Sequence, residues 1–148
     1  MATPPTTYHV QAHSTAGSSA SVTMGNQTVP VDASWGVTEP SGLPGPAQLL
    51  AAAFSACLMK NLERCSTLLS FRYERAEIDV RARRQDVPPR FVEIEYEMHL
   101  VTDENQRRVD LVHRNLRQYG TVYNTLAAVC DVHGRVVSEP PLVLPPRE

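Results

Sequence analysis

The sequence predicts an α+β fold in a single domain that spans residues 1–148. Several stretches alternate apolar and polar side chains, as β-strands do, and one long segment rich in leucine and alanine predicts a helix. The 148 residues suit one compact domain. Hydrophobic residues make up 42% and charged residues 20% of the chain, a balance typical of globular proteins.

The first part of the chain predicts β structure followed by a loop. Residues 6–33 alternate apolar and polar side chains, and Gly25-Asn26 within them is a turn signal. Pro30 predicts an edge strand, because proline has no N–H to donate to a second neighbour. Residues 34–46 are rich in proline and glycine and predict a loop, and Pro46 suits the first turn of a helix.

Residues 47–69 predict a long helix. Its first half is apolar on every side, which is typical of a helix that is buried all round. A domain of this length rarely encloses a whole helix within its own chain, so we expect a second copy to complete the burial. The protein is therefore predicted to be a homodimer.

Two strands are predicted next, over residues 76–83 and 92–100, with residues 85–90 connecting them. Each has one apolar and one charged face, as an antiparallel sheet with one side in water requires. The first strand carries a small group of arginines that resembles a nucleic-acid patch: Arg81, Arg83 and Arg84. Because acidic residues surround the group, a solvated strand face is the preferred interpretation.

The remaining elements are two helices and a strand, over residues 104–118, 121–129 and 131–137. Asp103 is a candidate N-cap for the first of these helices, and Gly120 is expected to end it. The proline-rich tail, residues 138–148, is expected to be irregular.

Composition argues against several classes of partner and location. A net charge of −2 offers no reason to expect nucleic acid, and no apolar run is long enough to cross a membrane. The N-terminal residues lack the features of a secretory signal, so the cytoplasm is the expected location. The three cysteines are then expected to be reduced thiols.

No cofactor or metal is expected from the sequence. His9 and His13 lie four residues apart on one side of a predicted strand, but no cysteine or carboxylate cluster lies near them, and a surface pair is preferred. The remaining histidines are scattered along the chain, and none is selected as a partner for a catalytic cysteine: His99, His113 and His133. A glycine-rich phosphate loop, a nucleophile elbow and a CxxC motif are all absent from the sequence.

Two segments together resemble the OsmC/Ohr-like family. One is GPAQLLAAAFSAC, which ends at Cys57, and the other is YGTVYNTL, residues 119–126. The order of elements agrees as well, so the resemblance covers nearly the whole chain. It implies an intertwined homodimer in which antiparallel sheets surround a long buried central helix, with sites at the subunit interface and a role in oxidative (hydroperoxide) stress.

In the catalytic members of that family, a cysteine thiolate attacks a hydroperoxide, a second cysteine closes a disulfide, and an arginine with a glutamate holds the thiolate ready. Cys57 matches the attacking cysteine. Gly120 stands where the second cysteine is expected, and Gln48 stands where the glutamate is expected. No arginine precedes Arg64. The sequence therefore argues against a two-cysteine peroxidase of the usual kind.

The other two cysteines are poor substitutes for the missing one. Cys65 lies eight positions beyond Cys57 on the same predicted helix, about 12 Å along its axis. A disulfide needs Cα atoms within roughly 7 Å. Cys130 follows the second short helix, about ten residues beyond the family position. We interpret both as small buried hydrophobic residues.

A local substitute for the missing arginine is conceivable. Lys60, Asn61 and Arg64 share one helix face with Cys57, and a positive charge within a turn of a thiol favours the thiolate. Lys60 and Arg64 are therefore candidate stabilisers of a Cys57 thiolate. In the alternative interpretation, these two charged side chains only face solvent where the helix emerges from the core.

Two functional hypotheses remain open. The protein is either a single-cysteine peroxidase (peroxiredoxin activity) that reduces a small organic hydroperoxide with an external thiol, or a non-catalytic family member that binds a small apolar ligand in the interface pocket. The missing charged residues and cysteine favour the second hypothesis, whereas Cys57 supports the first. Trp35 and Tyr123 are candidates for lining a pocket, although aromatic residues in a small protein are more often ordinary core residues.

Overall fold

The computed structural model describes residues 6–142. The first five residues and the end of the proline-rich tail, residues 143–148, lie outside the described part. Contacts divide the chain into two compact units with a boundary after Leu49, and each is described by itself.

The first unit contains a three-stranded antiparallel meander. Its strands are β1 (Val10–Ser14), β2 (Ala20–Met24) and β3 (Gln27–Val31), in that spatial order. Gly25 has a φ of +60°, so the predicted turn at Gly25-Asn26 is confirmed, and glycine suits this conformation because it has no Cβ. Pro30 lies on β3, which is an edge strand of this sheet within residues 6–142, as expected.

The long helix α1 (Pro46–Leu68) begins at the predicted proline. Just before it, the Gly45 N–H donates to the Oε1 atom of Gln48 at 2.8 Å. Gln48 is the third residue of the helix, so its side chain reaches back to the cap and satisfies one of the otherwise unpaired N–H groups. The neutral amide thus stabilises the start of the helix.

In the single chain, α1 is buried on one side only. Beyond Leu49 its buried residues follow helical spacing: Phe54, Leu58, Leu62 and Cys65. The opposite side carries small or apolar residues that are exposed: Ala52, Ala53, Ala56 and Met59. The expectation of all-round burial therefore depends on a second copy.

The second unit contains a mixed sheet, in which β5 is the central strand. The strands β4 (Arg75–Asp86) and β5 (Pro89–Val101) form the predicted antiparallel hairpin, but only Val87 and Pro88 separate them, so the connection is shorter than predicted. The last strand, β6 (Asp131–Glu139), pairs with β5 in parallel, which corrects the prediction of purely antiparallel sheets. The intervening helices supply the crossover that a parallel pair requires.

Those helices are α2 (Gln106–Tyr119) and α3 (Thr121–Ala127). The N-cap of α2 is Asn105, whose Oδ1 atom accepts from the Arg108 N–H at 3.0 Å, so the prediction that Asp103 caps this helix is wrong. The hydrogen-bonding position lies three residues before the N–H that it caps, and Asp103 is too early in the chain. Gly120 ends α2, as predicted.

One face of this sheet contributes to the core and the other is charged. Val109, Val112 and Leu116 of α2 belong to the same core as the apolar residues of β5. On the charged face, Arg83 and Arg84 pair with carboxylates at 3.3 and 3.1 Å, which fits the predicted solvated strand face. Among residues 6–142, the structure contains no helix with the length and apolar character needed to span a membrane.

Candidate functional site

The two segments that were singled out in the sequence meet at the sulfur of Cys57. This residue is half-buried on α1, beside the buried stripe of the helix. A Cβ atom placed on Gly120 would lie 3.0 Å from the Cys57 Sγ atom. The corner between α2 and α3 therefore lies directly against the thiol.

Gly120 is a tight position rather than an open one. It is buried, and a Cβ there would also lie 2.8 Å from the Tyr123 Cβ and 3.1 Å from the Leu116 carbonyl oxygen. Its φ of −76° and ψ of 118° are accessible to any residue. Glycine therefore serves close approach here, because a Cβ atom at this position would crowd the neighbouring atoms.

Asn61 is the polar neighbour of the thiol. Its Nδ2 atom donates to the Cys57 carbonyl oxygen at 3.1 Å and lies 3.7 Å from the Cys57 Sγ atom. An amide N–H at this position can donate a hydrogen bond to sulfur, and such a bond strengthens when sulfur is ionised. The sequence places Asn61 on this helix face without assigning it a role, and the contact depends on the rotamer of its side chain.

Lys60 and Arg64 lie on α1 as predicted, but their environments differ. Lys60 is exposed. The guanidinium of Arg64 lies over the ring of Tyr119, 4.4 Å from its centroid, in a cation–π arrangement. Tyr119 directly precedes Gly120, so Arg64 contacts the same corner that packs against Cys57. Within residues 6–142, neither cation has a carboxylate at ion-pair distance.

The other two thiols are in environments that disfavour ionisation. Burial raises the pKa of the Cys65 thiol, and the charge of Arg64 opposes this only in part. Burial, with a smaller contribution from Asp131, also raises the pKa of Cys130, whose Sγ atom donates to the Leu126 carbonyl at 3.2 Å. All three cysteines are unbridged. Cys65 and Cys130 thus have the character of small packed side chains.

A cluster of aromatic side chains packs next to the site. Phe54, one turn before Cys57, lies 5.7 Å from the ring of Tyr96 and 5.5 Å from the ring of Tyr123. The Tyr96 hydroxyl and the His113 Nε2 atom form a hydrogen bond of 2.7 Å. Burial raises the pKa of Tyr96 well above its usual value and lowers that of His113, so both groups are held neutral.

The sequence predicts only part of this cluster. Tyr123 was a candidate for lining a pocket, and it is buried beside the thiol corner, whereas Trp35 is 97% exposed. His113 had no partner in the sequence because its hydrogen-bond partner lies on β5, a separate element. The signal that could have found Tyr96 is Gly134, which lies opposite it on β6 and leaves room for the aromatic ring.

Comparisons with known proteins agree with this arrangement. A family model described as "OsmC-like protein" matches residues 39–133, more than half of the chain. A sequence search of curated proteins finds no significant match.

Solved structures show the same fold. An OsmC-like protein from Mycoplasma pneumoniae superimposes with a TM-score of 0.77 at 16% identity, over 91% of this chain and 97% of that one. An organic hydroperoxide resistance protein OsmC from Legionella pneumophila gives 0.71 at 18% identity, over 89% and 98%. The OhrB protein of Bacillus subtilis, an organic hydroperoxide resistance protein, gives 0.61 at 17% identity, over 89% and 98%.

At these identities the solved structures establish the fold, and the family model extends the assignment to the sequence itself. The two motif segments lie together at one thiol, and the family match includes both Cys57 and Gly120. The chain therefore belongs to the OsmC-like protein family.

Proposed function

We propose that this protein is a single-cysteine, thiol-dependent hydroperoxide reductase that uses Cys57. The observation that carries the proposal is the environment of the Cys57 sulfur: it is half-buried, it has an amide donor 3.7 Å away, and it lies against the corner at Gly120. The family to which the chain belongs includes proteins of hydroperoxide resistance. Cys65 and Cys130 are less suitable, because burial raises the pKa of each.

The proposed chemistry needs only one protein sulfur. The Cys57 thiolate attacks the distal oxygen of an organic hydroperoxide; the O–O bond breaks, the alkoxide takes a proton and leaves as alcohol, and the sulfur becomes a sulfenic acid. An external thiol then attacks this sulfur and releases water, forming a mixed disulfide. A second external thiol restores Cys57 and leaves as the small-molecule disulfide.

The external thiol follows from the lack of a resolving cysteine at the corner. Gly120 has no sulfur, and Cys130 is tied to the Leu126 carbonyl at the end of α3. A cycle of this kind requires a compartment that maintains reduced thiols, and we propose the cytoplasm.

We propose that a second copy covers the exposed side of α1 and completes the site. Met59 is 49% exposed on that side, and its neighbours there are alanines, which allow two helices to approach closely. A partner helix at this surface would enclose the substrate among apolar groups near Cys57, as a small organic hydroperoxide requires. Size-exclusion chromatography with light scattering tests the stoichiometry, and a monomer at micromolar concentration would contradict this part of the proposal.

We propose that Lys60 and Arg64, together with Asn61, stabilise the thiolate. Replacing either cation by methionine should slow the alkylation of Cys57 by iodoacetamide severalfold near pH 7, because less thiolate is present. Lys60→Arg and Arg64→Lys are matched controls that keep the charge. Equal rates in all four variants would remove both cations from this role.

The alternative is a non-catalytic family member that binds a small apolar ligand in the interface pocket. One observation favours it: the amide of Gln48, at the position of the family glutamate, caps α1 and carries no charge that could hold an activating arginine. In that case the thiol would be a packing group and its oxidation would not be productive.

Peroxide consumption decides between the two hypotheses. The native protein should consume cumene hydroperoxide with either a monothiol or a dithiol as reductant, and Cys57→Ser should abolish the activity. Cys65→Ser and Cys130→Ser are matched controls that should retain it. A dimedone adduct confined to Cys57 after peroxide treatment would identify the sulfenic acid. Native protein that consumes no peroxide, or a Cys57→Ser variant as active as the native protein, would overturn the proposal.

A further inference from the structure

A second group of chemically competent side chains lies on the charged face of the sheet, where β5 and β6 run in parallel. The register pairs Glu93 with Asp131 and Glu95 with His133. Because alternate residues of a strand share a face, Asp131 and His133 lie on the same side as Glu93. One ligand atom from each of these three side chains lies within 4.8 Å of the others.

One of the distances within this group already matches the separation of two ligands around a bound ion, and another is longer. The His133 Nε2 atom lies 3.2 Å from the Glu93 Oε2 atom and 4.0 Å from the Asp131 Oδ2 atom. Nitrogen and oxygen ligands sit about 2.0–2.2 Å from Zn²⁺, so two ligand atoms of one ion lie roughly 3 to 3.5 Å apart. Side-chain rotations that bring the most distant ligand atoms closer by about an ångström would allow all three to bind one ion.

A neighbouring residue already orients the central carboxylate. The Arg83 Nε atom lies 3.3 Å from Glu93 Oε1, so the other oxygen, Oε2, faces His133. Hydrogen bonds of this kind commonly hold metal-binding carboxylates in position. The three side chains also project from two paired strands, which form a more rigid frame than a loop.

A second histidine–carboxylate pair lies on the same sheet face, four residues further along β5, and can be compared with this group. There His99 contacts Glu97 at 2.5 Å, but the position on β6 that corresponds to Asp131 is occupied by Arg135, whose Nε atom lies 2.6 Å from Glu97. A cation thus fills the place of the third ligand. His99 and Glu97 therefore form a histidine–carboxylate pair that has no second carboxylate as a third metal ligand.

We infer that Glu93, Asp131 and His133 form a surface site for a divalent transition-metal ion, such as Zn²⁺, Co²⁺ or Ni²⁺. An imidazole nitrogen with two carboxylate oxygens suits these ions better than Mg²⁺ or Ca²⁺, which prefer oxygen alone. Water would fill the remaining coordination positions. The site is separate from Cys57, and the inference does not depend on the proposed peroxidase activity.

Line broadening by Ni²⁺ in the NMR spectrum of the untagged, full-length protein tests the inference. Substoichiometric Ni²⁺ should broaden the amide signals around Glu93 and around Asp131 and His133 first. Treating the protein with iodoacetamide beforehand removes the accessible thiols as competing ligands. Zn²⁺ added afterwards should restore the signals by displacing Ni²⁺ from the same ligands.

Affinity measured by calorimetry with Zn²⁺ should fall at least tenfold in His133→Gln and in Asp131→Asn. His99→Gln is the matched control, and it should bind as the native protein does. These positions are exposed, and circular dichroism verifies that each variant is folded. No binding by the native protein, or equal affinity in His133→Gln and His99→Gln, would overturn the inference.

Discussion

Replacing Gly120 by cysteine should create a disulfide with Cys57. In a disulfide, the Cβ atom of one cysteine lies about 3 Å from the sulfur of the other. The Cβ position of residue 120 already lies 3.0 Å from the Cys57 Sγ atom, and its backbone conformation is accessible to cysteine. The variant therefore supplies the missing sulfur at bonding range of the existing one.

Two opposing contributions set the magnitude. The new Cβ would crowd the Tyr123 Cβ at 2.8 Å and the Leu116 carbonyl at 3.1 Å, and overpacking of this kind costs about 1–3 kcal/mol. The cross-link closes a loop of about 60 residues, which lowers the entropy of the unfolded chain by an equivalent of about 4 kcal/mol. The reduced variant should thus be less stable than the native protein, and oxidation should recover about 2–4 kcal/mol.

Urea unfolding of the reduced and oxidised variant, at one protein concentration, measures both contributions. Gly120→Ala is the matched control, because it adds the same Cβ without the sulfur and should lose stability without responding to oxidant. Peptide mapping of the oxidised variant should find a disulfide between Cys57 and residue 120. If oxidised glutathione leaves both thiols free, or links residue 120 to another cysteine, the inferred contact between the corner and the thiol is wrong.

Two further predictions concern the second unit. Gly134→Ala should destabilise the protein by about 1–3 kcal/mol in urea unfolding, because the added Cβ would overlap the Tyr96 backbone oxygen and lie 2.5 Å from the Tyr96 Cγ atom. Glu104→Gln should cost about 1–3 kcal/mol at neutral pH, since this carboxylate accepts from Arg108 Nε at 3.0 Å and from the Arg72 N–H at 3.1 Å.

Each of these predictions has a contradicting result, and the first also has a matched control variant. Ser138→Ala on the same strand tests whether any alanine there is harmful; a Gly134→Ala variant as stable as this control would contradict the packing argument. The hydrogen bond from Arg108 contributes most to lowering the pKa of Glu104 in the folded protein. The stabilisation that the Glu104 carboxylate provides is therefore fully present above the ordinary carboxyl pKa. It is lost as the pH falls through the lowered pKa of Glu104 in the folded protein. The difference between native and Glu104→Gln should shrink in acid, and a difference that grows would refute this assignment.

Local signals in the sequence determined most of the secondary structure. Pro46 marks the start of α1 and Gly120 the end of α2, because each residue has a backbone property that suits its place. Alternation determined the β4–β5 hairpin, since side chains of a strand point to two faces in turn. Two short segments of the sequence were sufficient to predict the family to which the chain belongs.

Only the tertiary structure decided which distant residues meet. The parallel pairing of β6 with β5 depends on the crossover through α2 and α3, and this pairing brings Asp131 and His133 to Glu93. The Cys57 sulfur meets Gly120 because a helix and a corner that are 63 residues apart in sequence pack together. Such contacts arise from packing among separate elements, whereas spacing along the chain reports only on neighbours within one element.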